Sequence, residues 1–203
     1  MLTAHEATGS AMFTVDRYVP VNAGLAAGEP RLSRDQIWEG LMMKARDAKP
    51  FVHKMTVCDV TKEWSGGLDR DIVFHDMPMG ERLFFYPKEK IVFLRTHGAE
   101  MGAITNEIVE DDRGELLLRF AFTLEREGMQ PGSPQERAFA DGYGQGYLVS
   151  VQKTIDAIRA LVKQGRLKPA APKRAAAKRA KPHKQTRTKS APKSAPKKPA
   201  KNR

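Results

Sequence analysis

The sequence predicts an α+β domain in which a curved antiparallel sheet of about seven strands wraps round a long C-terminal helix, with two short helices after the first strand. Two observations predict this fold. Short runs rich in β-branched and aromatic residues recur between residues 54 and 126, with turn residues separating them. After these runs, one apolar stripe marks a long helix that needs a broad concave surface to bury it: Leu148, Val151, Ile155, Ile158 and Val162.

The N-terminal part of this domain is predicted to form a strand and then two helices. Residues 13–21 have the composition of a strand. Ser33 is the predicted N-cap of the first helix, and Gln36, three residues later, completes a capping box. Pro50 ends that helix, and Phe51 begins the second, shorter one.

Six strands and the long helix follow. The strands are predicted at residues 54–64, 68–75, 81–86, 90–97, 103–110 and 115–126. Ser133 is the predicted N-cap of the long helix, because Pro134 suits its first position and Glu136 suits the capping-box position. Gly165 is a natural residue for its C-terminal end.

The charge of the chain is divided between a body and a basic tail. Residues 166–203 contain 15 of the 35 Lys and Arg residues and no Asp or Glu, so this tail has a net charge of +15. The other 20 basic residues are outnumbered by the 24 acidic residues of the body, which has a net charge of −4. We therefore predict a disordered N-terminus at residues 1–11, one domain at residues 12–165 and a disordered Lys/Ala/Pro-rich tail at residues 166–203.

The tail has the composition of a segment that contacts DNA or RNA without reading its sequence. Its cations would neutralise phosphates, while its lack of aromatic residues leaves no platform for base stacking. A solubilising extension and an attraction to anionic membrane surfaces are the alternatives. The candidate nucleic-acid contacts are Lys173, Arg174, Lys178, Arg179, Lys181, Lys184, Lys189, Lys193, Lys197 and Lys198.

Other features of the composition favour a cytoplasmic protein. The chain has neither a signal-peptide pattern at its N-terminus nor an apolar run near the roughly 20 residues that span a bilayer. Cys58 is the only cysteine, so no intrachain disulfide and no multi-cysteine metal site can form. Nucleoid association through the tail is a further hypothesis about localisation.

Several segments of the body resemble one protein family. These segments are residues 32–41 (LSRDQIWEGL), 44–46 (KAR), 67–70 (GLDR), 81–82 (ER), 86–87 (YP), 104–106 (ITN) and 111–116 (DDRGEL). In this order they resemble the AtaL-like subfamily of the SRPBCC superfamily, over about residues 12–165. The resemblance implies the START-like, helix-grip fold, with an elongated cavity for an apolar ligand between sheet and helix. It implies no reaction, because the superfamily includes lipid carriers, cyclases and plain binding proteins.

The candidate ligand-binding residues lie in these segments, in other predicted strands of the sheet and on the long C-terminal helix. Strand alternation puts Arg70 on the same face as Leu68 and Ile72, where a charge needs either a carboxylate such as Glu81 or a polar group of a ligand. Each aromatic candidate has simple core packing as its alternative. The candidates are Trp38, Arg70, Arg82, Phe93, Asn106, Phe120, Tyr143 and Tyr147.

Three glycines interrupt the long helix, at Gly142, Gly144 and Gly146. Each costs roughly 1 kcal/mol of helix stability relative to Ala, so their positions need an explanation. The sequence leaves three explanations open: space for a ligand, a close approach of helix and sheet, or a kink in the helix. As a dinucleotide-binding motif the pattern is weak, because it does not follow a strand.

These observations support three hypotheses about function. The first is a protein that encloses an apolar or amphipathic small molecule and carries a tail for nucleic-acid contact. The second is a cyclase or isomerase type of enzyme acting on an aromatic or polyketide-like substrate. The third is a nucleic-acid accessory protein that acts through the tail. No metal and no cofactor are predicted, since the histidines lack ligand spacing and no phosphate-binding motif occurs. The ligand and the oligomeric state are left open.

Overall fold

In the computed structural model, which describes residues 10–167, seven strands and two helices form a sheet-and-helix domain. The predicted fold class is confirmed: one antiparallel sheet precedes a helix of 30 residues. The strands are β1 (Ser10–Pro20), β2 (Met55–Trp64), β3 (Gly67–Phe74), β4 (Met77–Tyr86), β5 (Lys90–His97), β6 (Glu100–Glu110) and β7 (Leu116–Glu127); the helices are α1 (Arg34–Arg46) and α2 (Pro134–Lys163).

The sheet has the strand order β1-β7-β6-β5-β4-β3-β2. Strands β2 to β7 therefore form a meander, and β1 returns to pair with β7. The register shifts by one residue at three positions, two in the β2–β3 pair and one between Gly80 and Glu81. Such bulges bend a strand and increase its twist, which curves the sheet around whatever packs on its inner face.

Both predicted helix starts are confirmed by their caps. Gln36 N donates a hydrogen bond to Ser33 Oγ at 3.2 Å, and Ser33 N donates to Gln36 Oε1 at 2.9 Å, which completes the capping box. Glu136 N donates to Ser133 Oγ at 3.0 Å at the start of α2. These local hydrogen bonds satisfy backbone donors that have no partner inside the helix.

The second short helix was predicted wrongly. Residues 49–54 form turns, in which the backbone amides of Phe51 and Val52 both donate to the Ala48 carbonyl. Pro50 has no N–H to donate, and so few residues cannot repay the cost of nucleating a helix.

The main core lies between α2 and the inner face of the sheet. Val151, Ile155 and Ile158 of α2 are buried in one cluster with alternate residues of the strands, such as Phe120 and Phe122 of β7. The predicted apolar stripe is therefore the contact surface of the helix. Within residues 10–167, neither helix is long and apolar enough to cross a membrane.

The boundaries of the described region differ slightly from the predicted domain. Ser10 and Ala11 lie in β1, two residues before the predicted start, and Leu167 is buried against the core, two residues beyond the predicted end. The ten candidate nucleic-acid contacts between Lys173 and Lys198 lie outside the described residues.

Candidate functional site

Two adjoining cavities lie beside α2. The inner one has a free volume of about 60 Å³ and the outer one about 470 Å³. The exposed residues Gly146 and Val149 line the outer cavity, so it is open to solvent. The two cavities share four lining residues: Phe74, Tyr143, Tyr147 and Ser150. These four residues form the common wall of the two cavities.

Six of the eight candidate ligand-binding residues line the inner cavity. They come from four strands and α2, so the fold brings together residues that are far apart in sequence. That they bind a ligand stays a prediction. The six are Arg70, Phe93, Asn106, Phe120, Tyr143 and Tyr147.

The other two candidates lie elsewhere. Arg82 lines neither cavity: its side chain is on the outer surface of the sheet, where it forms two hydrogen bonds to the Asp69 carboxylate at 2.7 and 2.9 Å. The reason is strand alternation, since its neighbour Glu81 points inward. Trp38 is buried in the main core and is not among the residues that line either cavity.

A row of three charged side chains crosses the floor of the inner cavity. Glu81 of β4 is paired in register with Arg70 of β3 and Arg95 of β5, and all three are buried. Arg70 donates from Nε and Nη2 to Glu81 Oε2 at 2.8 and 2.6 Å, so the predicted ion pair is present. Arg95 Nε lies 3.2 Å from Glu81 Oε1 without the direction of a hydrogen bond. The Glu81 carboxylate is therefore the counter-charge of both guanidinium groups.

Lys44 of α1 forms the cavity wall above this row. Its ammonium group donates to Asn106 Oδ1 at 3.0 Å and lies 5.5 Å from the centre of the Phe120 ring. Arg70 is linked to the same turn of α1, because its Nη1 donates to the carbonyls of Lys44 and Ala45 at 3.0 and 2.7 Å. The polar end of the cavity is therefore fixed by both α1 and the sheet.

The electrostatics of the inner cavity favour the charged form of Glu81 and disfavour the protonated form of Lys44. Burial alone would raise the pKa of Glu81, but the neighbouring Arg70 and Arg95 outweigh it and hold that pKa below its usual value. Burial and, less strongly, repulsion by Arg70 lower the pKa of Lys44 to about 7, although Glu81 opposes both effects. Lys44 consequently changes charge near neutral pH.

A second polar cluster lies at the junction with the outer cavity. The Tyr143 hydroxyl donates to Glu100 Oε2 at 2.9 Å, and Arg126 Nη1 is 3.3 Å from Glu100 Oε1. Burial and the nearby Glu100 charge raise the pKa of Tyr143 far above its usual value, and burial does the same for Tyr147. Both tyrosines are therefore neutral hydroxyl groups at ordinary pH.

Three of these residues were not found from the sequence: Lys44, Arg95 and Glu100. A signal for each was present. Lys44 follows the buried Leu41 by three positions and Ile37 by seven, which puts it on the buried face of α1. Arg95 and Glu100 are in phase with the inward-facing residues of their strands, as Arg70 is in β3.

The glycines of α2 lie in two environments. Gly142 and Gly146 line the outer cavity, and a Cβ atom at either position would meet nothing within 4 Å. Gly144 is buried, and a Cβ atom there would lie 3.5 Å from Val15 of β1, an ordinary contact distance that does not require glycine. Open space is therefore present at the outer cavity, whereas close packing against the sheet does not explain Gly144.

The described part of the chain holds no cluster of three or more His, Cys, Asp and Glu residues arranged for a metal ion. Its chemistry is carried by the ammonium, guanidinium, amide and phenol groups named above. These groups can bind a polar part of a molecule, and Lys44 can also gain or lose a proton.

A curved antiparallel sheet that holds a long C-terminal helix is the helix-grip fold. The sequence narrows this further: residues 19–165 match the family model described as acetylaranotin biosynthesis cluster protein L, AtaL. The chain therefore belongs to the AtaL family, as the resemblance implied.

Solved structures share this fold at low sequence identity. A protein of unknown function, SA2116 from Staphylococcus aureus, superposes with a TM-score of 0.53 and 10% identity, over 78% of this chain and 99% of that one. The di-domain ARO/CYC StfQ from the steffimycin biosynthetic pathway has a TM-score of 0.52 and 10% identity, over 77% of this chain and 52% of that one. No curated protein matches the chain. Likeness at this identity concerns the fold alone.

Proposed function

We propose that the protein binds an amphipathic small molecule, with the apolar body of the ligand in the outer cavity and its polar head group in the inner one. The observation that carries this proposal is a set of buried hydrogen-bond donors beside an open and mainly apolar cavity. The buried side chains of Lys44, Arg70, Arg95 and Asn106 line the inner cavity, and aromatic side chains such as Phe74 line both cavities.

The dimensions of the two cavities support this arrangement. The outer volume of about 470 Å³ is in the usual range for small-molecule sites. The inner volume of about 60 Å³ has room for roughly four water-sized groups, which suits a head group but not a whole ligand. Membership of a family described by a biosynthesis cluster is consistent with a small organic ligand.

Fluorescence titration with N-phenyl-1-naphthylamine, a neutral apolar probe, tests the proposal. We expect saturable binding of one probe per chain. Ser150→Phe should weaken it strongly, because Ser150 lines both cavities. Gln152→Phe is the matched control, since Gln152 is exposed on α2 and hydrogen-bonds only to Asp156 among the described contacts. Absence of saturable binding, or equal losses in both variants, would contradict the proposal.

For the tail we propose sequence-independent contact with nucleic acid, a second function that the body does not share. It is supported by the 15 cations and the absence of acidic residues in residues 166–203. Gel-shift titration of duplex DNA with the full chain and with residues 1–167, which retain the buried Leu167, tests it. We expect the truncated protein to bind far more weakly, with a smaller salt dependence. Equal affinity of the two proteins would exclude this role.

A cyclase or isomerase type of activity stays a prediction. Lys44 is the cavity group that favours it, because a group with a pKa of about 7 is suited to acid–base catalysis at neutral pH. A Lys44→Met variant that binds a reactive carbonyl ligand normally but fails to convert it would support catalysis. Unchanged conversion by that variant would argue against Lys44 as the acid–base group.

A further inference from the structure

We propose that the head group of the ligand is an oxyanion of about the size of a carboxylate, and that Lys44 takes up a proton when this anion binds. This inference rests on the proposed binding function and specifies its ligand class. It is carried by the charge balance of the inner cavity and by buried donors that have no acceptor in good hydrogen-bond geometry.

The inner cavity has more positive than negative groups. Its lining residues include three cationic side chains, Lys44, Arg70 and Arg95, but Glu81 is their only carboxylate. The outer cavity does not restore the balance, because its Glu100 is already paired with Arg126. A buried charge without a partner is costly. An anionic group in the cavity would remove that cost, whereas a neutral or cationic group would not.

Two buried donors identify where the anion would lie. Asn106 Nδ2 and Arg95 Nε have no acceptor in good hydrogen-bond geometry among residues 10–167, although Asn106 is 0% and Arg95 5% exposed. Their nearest polar neighbours are the Tyr147 hydroxyl, whose pKa Asn106 lowers, and Glu81 Oε1, which is 3.2 Å from Arg95 Nε. Buried polar groups in proteins nearly always have a partner. Both residues line the inner cavity together with Lys44, so an oxyanion there would meet donors from α1, β5 and β6.

Lys44 is the group whose charge responds to such an anion. Burial and repulsion by Arg70 keep its pKa at about 7, so most of the molecules have a neutral Lys44 above that pH. A bound anion favours the ammonium form and raises the pKa. The other charged and titratable groups that face this cavity from β3, β4, β5 and α2 are Arg70, Glu81, Arg95, Tyr143 and Tyr147, whereas Glu100 of β6 lines only the outer cavity.

None of those groups is expected to take up the proton. The pKa of Glu81 lies below its usual value, and the pKa values of Tyr143 and Tyr147 lie far above theirs. Arginine stays charged. His53 and His75 line only the outer cavity, and a Lys44 variant retains both. Loss of proton uptake in that variant therefore identifies Lys44.

The first experiment compares two ligands that differ only in charge: a dansyl-labelled undecanoic acid and its primary amide, titrated into the full chain near pH 7. We expect the carboxylate to bind on the order of ten to a hundred times more tightly, because charge-assisted hydrogen bonds are the stronger ones. Equal binding of both ligands would overturn the anionic head group and leave the proposed function intact. Binding of neither would contradict the proposed function itself.

The second experiment measures proton uptake by calorimetry at about pH 8, in two buffers with different ionisation enthalpies. We expect close to one proton per bound carboxylate and close to none for the amide. Lys44→Met should abolish the uptake and most of the preference for the carboxylate. Lys62→Met, which removes an exposed lysine from β2, should change neither. Binding of the carboxylate to the original protein without proton uptake would overturn the role of Lys44, whether or not the variants fold.

Discussion

At the scale of single residues, Glu81 has the greatest influence on the inner cavity, because it is the only carboxylate in its wall. Glu81→Gln would leave Arg70 and Arg95 buried without a counter-charge. Removal of one partner from a buried ion pair costs about 3–5 kcal/mol. We expect a loss of that order in the free energy of unfolding, measured by urea denaturation.

Arg82 provides the matched control for Glu81 on the same strand. Its ion pair with Asp69 lies on the outer, solvent-exposed face of the sheet, where such pairs contribute little. Arg82→Gln should therefore leave the urea midpoint almost unchanged. Similar losses in the two variants would mean that burial does not decide the strength of these pairs.

The sequence could predict those residues of the site whose orientation depends on a single helix or strand. The alternation of side chains along β3 was enough to predict that Arg70 faces the interior. The same rule predicts that Arg95 of β5 faces the interior and that Arg82 of β4 faces the outer surface. The pairing of one carboxylate with two arginines could not be predicted. It depends on the register of three strands and on the bulge between Gly80 and Glu81.

At the scale of elements, α2 combines a contact surface with one wall of a cavity. Its start was predictable because Ser133, Pro134 and Glu136 form a local signal. The separate environments of its glycines were not, because they depend on how the helix lies over the sheet. Gly144 faces Val15, which is more than a hundred residues away in sequence, and Gly146 faces the outer cavity.

Substitutions at Gly146 should separate helix stability from ligand binding. Gly146→Ala is expected to raise the free energy of unfolding by about 1 kcal/mol, because Ala is the better helix former and its Cβ atom meets no neighbour. Gly146→Leu should retain much of that gain but weaken binding of the naphthylamine probe, since the larger side chain enters the outer cavity.

The neighbouring Gln145 is the control for this pair of effects. It is exposed on α2 and lines neither cavity. Gln145→Leu should leave probe affinity unchanged in the same titration. If Gly146→Leu binds the probe as well as the original protein does, the outer cavity is not the binding site.

At the scale of the whole molecule, net charge conceals the electrostatics of the site. The chain has a formal charge of +11, made up of a tail at +15 and a body at −4. Within that acidic body, the inner cavity has three cationic groups and one carboxylate. Composition could separate tail from body, but only the fold reveals a positive cavity in a negative domain. Stability should therefore depend on pH through the buried groups and not through the net charge.

Lys44 gives this pH dependence a definite direction. In the unfolded chain its pKa is 10.5, whereas in the folded protein it is about 7. Between these values the unfolded state binds the extra proton, so the free energy of unfolding rises with pH. The slope is about 1.4 kcal/mol per pH unit at most. We expect a gain of about 2–3 kcal/mol from pH 7.5 to pH 9.5 in urea denaturation.

The free energy of unfolding should stop rising near pH 10, because of two tyrosines in the cavity wall. Tyr143 and Tyr147 have raised pKa values when folded, so above their unfolded value of 10.0 the unfolded state loses protons first and stability falls. Lys44→Met should remove the rise but keep the fall, and Lys62→Met should retain both. A rise of equal size in the Lys44→Met variant would show that another group causes it, and would separate the pH dependence of stability from the inner cavity.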